Sequence, residues 1–252
     1  MKDSQNYQFK NYIIHQFEEL DSTNNLAFSL AENKKIFANE IIVACKQNKG
    51  RGRLDRKWES PIGNLYFSLV LQPKIAVEKI SQISFIAICA LQMAVAEVFK
   101  TQKITANIQN KWPNDLLIEQ KKVAGILLES KISNENCEFV ILGIGLNINS
   151  NPSQTIFPAT NMKNFLCDIS ALKMLEIFLE NFTTLYENWL NFGFENIRNL
   201  WHKNAYNLNS QMRINIDKSV VEGIFQEIDK DGRLIIKTNN NVVKKITFGD
   251  VC

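Results

Sequence analysis

The hydrophobic pattern of this chain changes near Tyr206, and the change limits the folds that the chain can adopt. Upstream, apolar residues recur at helical spacing from Ile83 onward, and short apolar runs such as residues 40–45 are typical of buried strands. Downstream come short β-rich runs, separated by turn sequences at residues 229–232 and 239–241 that suit positive φ. The pattern predicts an α+β fold.

The length of the chain agrees with one large domain and a small companion. At about 150 residues per domain, 252 residues correspond to fewer than two average domains. We therefore expect a larger domain over residues 1–206, followed by a small β-barrel over residues 207–252.

Charge and composition exclude several classes of protein. The formal net charge of +3 is too small to indicate a nucleic-acid or membrane partner by itself. Two histidines and five scattered cysteines without a CxxC pair support neither a zinc site nor a disulfide framework, and they suit a reducing compartment. The N-terminus does not resemble a signal peptide, and the most apolar stretch, residues 83–99, is shorter than the roughly 20 residues of a membrane span. We expect a cytoplasmic protein.

The stretch from Lys46 to Lys57 carries the most informative chemistry. It holds six basic residues and one acid, and it lies between two predicted strands, residues 40–45 and 65–71. Charge alone favours a solvated run or a nucleic-acid-binding arm. Its arginines, however, present forked donors that match phosphate and carboxylate oxygens. Gly50 and Gly52 allow close backbone approach, and Trp58 offers a face on which a purine can stack. We predict a loop that orders around an anionic nucleotide, although P-loop and GxGxxG spacings are absent.

A second cluster follows at residues 111–122. Pro113 interrupts a strand, so Asn114 and Asp115 are expected at a bend, where their side chains can point into a cleft. A hairpin would bring Lys122 back near Asp115. An ordinary hairpin with a solvated ion pair explains this pattern equally well.

A third cluster, residues 143–149, has two glycines in an otherwise apolar strand. Glycines in such a position indicate a bulge or a close approach of another group to the backbone. Asn147 follows them, and its amide could read an adenine edge or merely satisfy a bend.

Together the three clusters resemble the biotin–protein ligase family. The matching motifs occur in the family's order over roughly residues 20–150, and each alone is modest whereas five in order are specific. They are Ser22-Thr-Asn, residues 47–58 with 60–68, Lys111-Trp-Pro-Asn-Asp-Leu, Lys122-Val-Ala-Gly-Ile-Leu-Leu-Glu and Gly143-Ile-Gly-Leu-Asn-Ile-Asn. Residues 223–234 look like the family's small C-terminal barrel.

The resemblance implies a catalytic domain related to class II aminoacyl-tRNA synthetases, with a mixed sheet flanked by helices, followed by an SH3-like barrel. It implies that biotin and ATP form biotinyl-5′-AMP with Mg²⁺, and that a lysine of the biotin carboxyl carrier protein of acetyl-CoA carboxylase then takes the biotinyl group. Only about 20 residues precede Ser22, too few for the helix-turn-helix module of larger members. We therefore expect the monofunctional form, a monomer or weak homodimer without nucleic-acid or membrane partners.

The resemblance also assigns roles to individual residues, and it implies no metal site built by the protein alone. Lys111 and Asp115 are expected to take part in catalysis, and Asp115 is the candidate for orienting or deprotonating the carrier lysine. The expected biotin-binding residues are Ser22, Thr23, Gln47, Gly50, Arg51, Arg53, Lys122 and Gly125, of which Lys122 and Arg53 are also catalytic. The expected ATP-binding residues are Arg56, Trp58, Asn147 and Lys122.

Three alternatives remain at this stage. A lipoate– or octanoate–protein ligase would have a related fold and a similar adenylation, although the Gly-Arg-Gly-Arg and Lys-Trp-Pro-Asn-Asp motifs favour biotin. An RNA-binding module could use the basic loop, but such modules need several aromatic platforms and this loop has only Trp58. A biotin-sensing repressor would require the helix-turn-helix.

Overall fold

The computed structural model describes residues 5–155, 157–216 and 219–251, and for Asp55 only the backbone. The described residues form two compact units. The first comprises the chain up to Ile80 together with Val123–Thr155 and Ala159–Ile177, and the second comprises Ser81–Lys122, the described part of residues 156–158, and the chain from Phe178 onward.

Helices and strands alternate over most of the chain, and strands dominate its C-terminal part. In chain order the elements are β1 (Gln5–Phe9), β2 (Tyr12–Leu20), α1 (Thr23–Glu32), β3 (Glu40–Gln47), β4 (Leu65–Leu71), α2 (Gln82–Thr101), β5 (Ile108–Lys111), β6 (Asp115–Ile118), β7 (Lys121–Ser133), β8 (Asn136–Leu146), α3 (Ala171–Phe192), α4 (Glu195–Lys203), β9 (Gln211–Ile216), β10 (Ser219–Ile228), β11 (Leu234–Thr238), β12 (Val243–Ile246) and β13 (Asp250–Val251).

The first unit is built on a mixed sheet. Its strands lie in the order β1-β2-β3-β4-β8-β7, and β2 and β3 run parallel whereas the other neighbours are antiparallel. All seven residues of β4 are buried, and all but Ser68 are apolar, as is typical of a strand in the middle of a sheet. Helix α1 packs Ala27 and Ala31 against one face of this sheet, next to Phe17, Val70 and Phe139. The start of α1 lies beside the end of β3 and the middle of β4, where Thr23 contacts Gln47 and Ser68.

The second unit combines helices with the C-terminal strands, which form an antiparallel sheet in the order β12-β11-β10-β9-β13. The turn before β11 is fastened to the rest of the unit. Gly232, at φ +80°, accepts a hydrogen bond from Trp112 Nε1 at 3.1 Å, and Lys230 O accepts one from Gln82 Nε2 at 3.1 Å. The predicted α+β class is therefore confirmed.

Helix α2 is the core helix of this unit. The stretch Val77–Thr101 is long and apolar enough to cross a membrane by length and composition, but 72% of its apolar window is buried inside the protein. That burial is typical of a core helix. Among the described cysteines, those at positions 45, 89, 137 and 167 are free, and Cys252 lies outside the described residues.

Four elements are absent from the sequence-based expectations: β1, β2, α4 and β13. Strand β2 mixes buried Tyr12, Ile14 and Phe17 with exposed or half-buried neighbours, so no continuous apolar run marks it. Strand β1 is polar and lies at the edge of the sheet, where pairing with β2 forms it. Such strands form because they pair with a neighbouring strand, and the local sequence pattern does not reveal that pairing.

The side chain of His202 joins α4 to β10 within the second unit. Its Nε2 accepts a hydrogen bond from the backbone N–H of Ile228 at 3.0 Å, which requires that nitrogen to be unprotonated. Burial lowers the pKa of His202 below its ordinary value, and the positive charge of Arg198 lowers it further, while Glu227 and Glu195 act in the opposite direction. The folded protein therefore favours the neutral ring.

We expect the free energy of unfolding to fall as the pH drops below the ordinary histidine pKa of about 6.5. A lowered pKa in the folded state means that the unfolded chain takes up the proton first, so the stabilisation is complete above that pH and is lost below it. Urea titrations of wild type and His202→Gln at about pH 7.5 and about pH 5.5 check this. The variant, whose amide cannot titrate, should lose less stability than wild type, and equal losses would contradict the assignment.

Candidate functional site

The basic loop between β3 and β4 folds back on itself as a hairpin. Gln47 N donates to Ser60 O at 3.1 Å, Trp58 N to Gly50 O at 2.8 Å, and Gly52 N to Arg56 O at 2.7 Å. These bonds define the base and stem of the loop. Its tip, the turn Arg53–Asp55, contains Leu54 at φ 54°. The arrangement holds Arg53 and Arg56 at the two ends of the tip.

The two glycines of the loop differ in what the fold requires of them. A Cβ at Gly50 would lie 2.6 Å from Ser60 Oγ, so no other residue fits without a shift. At Gly52 a Cβ would meet only Arg56 O, at an ordinary 3.6 Å, and its φ of −106° is open to any residue. The close packing at Gly50 is with the loop's own atoms, whereas at Gly52 the loop imposes no such need; a close approach of either glycine to a ligand stays a prediction.

A chain of neutral hydrogen-bonding groups runs through the base of the loop. Gln47 Oε1 accepts from the backbone N–H of Thr23 at 2.9 Å and lies 3.2 Å from Thr23 Oγ1. Gln47 Nε2 donates to Ser60 Oγ at 2.9 Å, and Ser60 Oγ donates to Trp58 O at 3.0 Å. On the other side, Thr23 Oγ1 lies within hydrogen-bond distance of Ser68 Oγ, at 2.8 Å. The amide of Gln47 is thereby held in one orientation.

A charged group adjoins this chain. Arg51 Nη2 donates to Glu129 Oε1 at 2.9 Å and to Asn25 Oδ1 at 2.6 Å. The other carboxylate oxygen, Glu129 Oε2, accepts from Asn24 Nδ2 at 2.8 Å. Asn24 Oδ1 in turn accepts from Ser68 Oγ. Side chains from α1, the loop, β4 and β7 are therefore linked without a break.

Gly143 and Gly145 of the third cluster have no side chains, and side chains from elsewhere in the first unit occupy the space beside them. A Cβ at Gly143 would collide with the amide of Asn24, and one at Gly145 would lie 2.6 Å from the indole Cε2 of Trp58. Gly145 pairs across the sheet with Gly125, so glycines on both strands leave room beside the indole. The predicted close approach in this strand is confirmed, and Trp58 is the group that approaches at Gly145.

Asn147 is 2% exposed, and its Nδ2 donates to Thr160 O at 3.1 Å. Its Oδ1 has no hydrogen-bond partner among the residues that the structure describes. A buried acceptor without a donor is costly, so this atom is suited to receive a donor from a bound molecule.

The second unit contains the other cluster. Glu119 and Gln120, both at positive φ, form the turn between β6 and β7, a geometry that returns the chain sharply. Asp115 is the first residue of β6, and it lies opposite Lys111 of β5 in the antiparallel pair. Lys122 Nζ lies 2.6 Å from Asp115 Oδ1. The predicted proximity of Lys122 and Asp115 is confirmed, and so is the bend before Asp115.

Lys111 is 5% exposed, and its Nζ lies 3.4 Å from the centroid of the Phe157 ring. A lysine over an aromatic face is held by cation–π attraction, which strengthens when the pair is desolvated. Phe157 is therefore a direct neighbour of a candidate catalytic lysine.

The structure places most of the expected site residues in these two clusters. Ser22 has a local duty as well, because its side chain caps α1 by accepting from Asn25 N at 3.4 Å. Sequence reasoning did not assign Asn24, Ser60, Ser68, Glu129 and Phe157. The first four lie inside the recognised motifs, whereas nothing in the sequence around Phe157 marks it. Within the described part of the chain, no group of three or more His, Cys, Asp or Glu side chains could hold a metal ion.

Comparison with known proteins identifies the family. A model of the biotin/lipoate A/B protein ligase family matches residues 17–147, and a model of the biotin protein ligase C-terminal domain matches residues 208–252. This chain belongs to the biotin protein ligases. The ligase is 34% identical over 242 residues to the bifunctional ligase/repressor BirA of Bacillus subtilis, covering 92% of this chain and 71% of the relative.

Two more relatives agree. The ligase is 34% identical to the biotin–[acetyl-CoA-carboxylase] ligase of Paracoccus denitrificans, covering 86% of this chain and 91% of that protein. Its fold matches the solved structure of the biotin protein ligase from Aquifex aeolicus in complex with biotin and ATP, with a TM-score of 0.77, 27% identity, and coverage of 97% of this chain and 98% of that one. The resemblance drawn from the motifs is confirmed.

Proposed function

We propose that this biotin protein ligase activates biotin with ATP and transfers the biotinyl group to a lysine of a biotin carboxyl carrier protein. The observation that carries the proposal is the presence, in one chain and in order, of the ligase family model and the biotin protein ligase C-terminal model. The second of these favours biotin over lipoate as the acyl group.

In the first step a biotin carboxylate oxygen attacks the α-phosphorus of ATP. The bond between the α- and β-phosphates breaks, pyrophosphate leaves, and biotinyl-5′-AMP forms. In the second step a neutral lysine amine attacks the acyl carbon, the amine loses a proton, and AMP leaves. The carboxylate is already ionised at neutral pH, so the first step needs charge neutralisation and alignment rather than a general base.

The neutral chain of Thr23 and Gln47 is suited to the ureido ring of biotin. This ring is polar and uncharged, so a slot that buries it must supply paired donors and acceptors. We assign Ser22, Gly50, Arg51 and Gly125 to the same part of the pocket, with backbone groups contributing at the two glycines and at Arg51.

The cationic side chains are suited to the anions of the reaction. We assign Lys122 and Arg53 to the biotin carboxylate and then to the phosphate of the adenylate, Arg56 to the departing pyrophosphate, and Lys111 to the phosphates as well. Trp58 and Asn147 would hold the adenine, and the buried Asn147 Oδ1 is an acceptor that the exocyclic amino group could satisfy.

Asp115 is suited to the second step. Its carboxylate is paired with Lys122 Nζ at 2.6 Å. When Lys122 turns to an anionic substrate, this carboxylate is released to accept a hydrogen bond from the carrier amine. Asp115 would then orient that amine and take its proton, since an ordinary lysine with a pKa of about 10.4 must lose a proton before it attacks.

Mg²⁺ is expected to arrive with the nucleotide. It commonly keeps several waters and binds through phosphates plus one or two carboxylates. The carboxylate of the second cluster, Asp115, is already paired with Lys122, so the phosphates and water would hold the ion, which would neutralise the phosphate charge. We further propose a cytoplasmic protein, monomeric or weakly dimeric, with a domain boundary between residues 206 and 207.

The test is a direct assay with labelled biotin, ATP and Mg²⁺. We expect biotin-dependent release of pyrophosphate, a biotinyl-adenylate that remains bound to the protein, and labelling of an apo carrier protein. Lipoate and octanoate serve as competing substrates. Pyrophosphate release with octanoate or lipoate but not with biotin would overturn the proposal.

A further inference from the structure

We propose that Glu129 is a positioning residue of the ligase, which orients the biotin-binding groups through Asn24 and Arg51. This inference rests on the proposed function. Glu129 lies on β7, and its two carboxylate oxygens are divided between two donors, Arg51 Nη2 from the basic loop and Asn24 Nδ2 from the first turn of α1. One carboxylate thus ties together the two segments that carry the expected biotin ligands.

The carboxylate fixes which way the amide of Asn24 points. An ionised carboxylate only accepts hydrogen bonds, so the NH₂ group of Asn24 must face Glu129, and its Oδ1 must face Ser68. Asn24 is 4% exposed and lies directly over Gly143, where a Cβ would leave no space for it. The orientation of this buried amide is therefore decided by Glu129.

The orientation is passed on to the hydroxyl group of Thr23, which lies beside Gln47. Ser68 has one hydroxyl proton, and Asn24 Oδ1 accepts it, so Ser68 Oγ in turn accepts from Thr23 Oγ1 at 2.8 Å. Gln47 Oε1 then accepts from the backbone N–H of Thr23 at 2.9 Å. A hydrogen-bonded chain of this kind has one self-consistent set of donors and acceptors. If Asn24 turned over, Ser68 would face a donor instead of an acceptor, and the bonds around Thr23 would have to rearrange.

Glu129 also determines the role of Arg51. The pair is partly buried, with side-chain exposures of 31% for Arg51 and 27% for Glu129, so it is less screened than a surface ion pair. Its charge is balanced within the protein. The side chain of Arg51 therefore stabilises the loop that presents the backbone of Gly50 and Arg51, and the neutralisation of substrate anions falls to other cations.

Glutamine cannot replace Glu129, because its amide offers one acceptor and one donor, whereas Arg51 and Asn24 both present donors at this position. We expect Glu129→Gln to raise the KM for biotin about tenfold, with the KM for ATP changed less than about twofold. Asn24→Asp places a second carboxylate against Glu129, and we expect a similar rise.

The decisive variant combines the two substitutions. In Asn24→Asp/Glu129→Gln the donor and acceptor exchange places, since the new glutamine NH₂ can donate to the new aspartate while its Oε1 still accepts from Arg51. We expect the double variant to recover the KM for biotin to within about threefold of wild type, against the roughly 100-fold rise that independent effects would produce. If each substitution merely damaged the structure, their two effects on the KM for biotin would add rather than cancel.

A matched control is available on the same two elements. Lys131 of β7 and Glu32 of α1 form an ion pair at 3.0 Å, away from the loop. Glu32→Gln should leave the KM for biotin unchanged. The inference is overturned if Glu129→Gln behaves like Glu32→Gln, or if the double variant shows additive losses. If pyrophosphate release by the wild-type protein did not depend on biotin, that result would instead refute the proposed function.

Discussion

We expect Lys122→Ala to lower the rate of biotinyl-adenylate formation by about 10²–10³-fold, the cost of removing one group that stabilises developing charge in a transition state. Lys122 is the second residue of β7, and its Nζ lies 2.6 Å from Asp115 Oδ1. The substitution therefore removes the ammonium group and leaves the carboxylate without that counter-charge. Both changes raise the energy of bringing biotin carboxylate and ATP together. The measurement is biotin-dependent pyrophosphate release under single-turnover conditions.

The neighbouring lysine supplies the control for this prediction. Lys121 is exposed and precedes Lys122 directly in β7. Lys121→Ala removes the same charge from the same strand and should leave the rate within about twofold, as expected of a surface substitution. A rate for Lys122→Ala close to that of Lys121→Ala would remove Lys122 from the assigned site.

We expect Arg53→Gly to increase the release of free biotinyl-adenylate by about 10–100-fold, the range expected for losing a charge-assisted hydrogen bond to the phosphate. Arg53 opens the tip of the basic loop, and the loop is closed below it by the Gly52 N to Arg56 O bond of 2.7 Å. A loop that covers the adenylate protects a reactive mixed anhydride from water and from stray amines. Without the guanidinium, we expect bystander lysines to become biotinylated.

This prediction is measured by labelling of an unrelated lysine-rich protein in the presence of the carrier. Lys57→Gly is the matched control, because Lys57 is an exposed basic residue on the stem of the same loop. The ratio of bystander to carrier labelling should rise for Arg53→Gly and stay near the wild-type value for Lys57→Gly. An unchanged ratio in Arg53→Gly would show that this arginine does not retain the intermediate.

Local patterns in the sequence were sufficient for the elements that are apolar throughout or strictly periodic. Strand β4 and helix α2 were both predicted because nearly every inward position along them is apolar. The turn chemistry was equally readable at Gly232 and Asn241, both of which have positive φ. Strands β1 and β2 escaped prediction because their positions are decided by pairing within the sheet rather than by their own composition.

The candidate site divides in the same way. The basic loop, its anchoring Gly50 and the Lys122–Asp115 pair follow from motifs and from a short hairpin. The bond between Glu129 and Asn24 joins residues 105 positions apart, and no local feature of either residue points to the other. Both residues lie inside the recognised motifs, but the sequence alone assigns neither of them a role.

By itself, the order of residues determined which chemical groups this ligase carries and which family it belongs to, because motif spacing and apolar period are properties of the chain alone. The tertiary structure decided which oxygen or nitrogen of each group is already committed to a neighbour. It shows that the charge of the Arg51 guanidinium is balanced by Glu129, that Trp58 packs against Gly145, and that Lys111 Nζ lies over the ring of Phe157. Hydrogen bonds and ion pairs form between side chains that folding brings together, so they cannot be read before the distances exist.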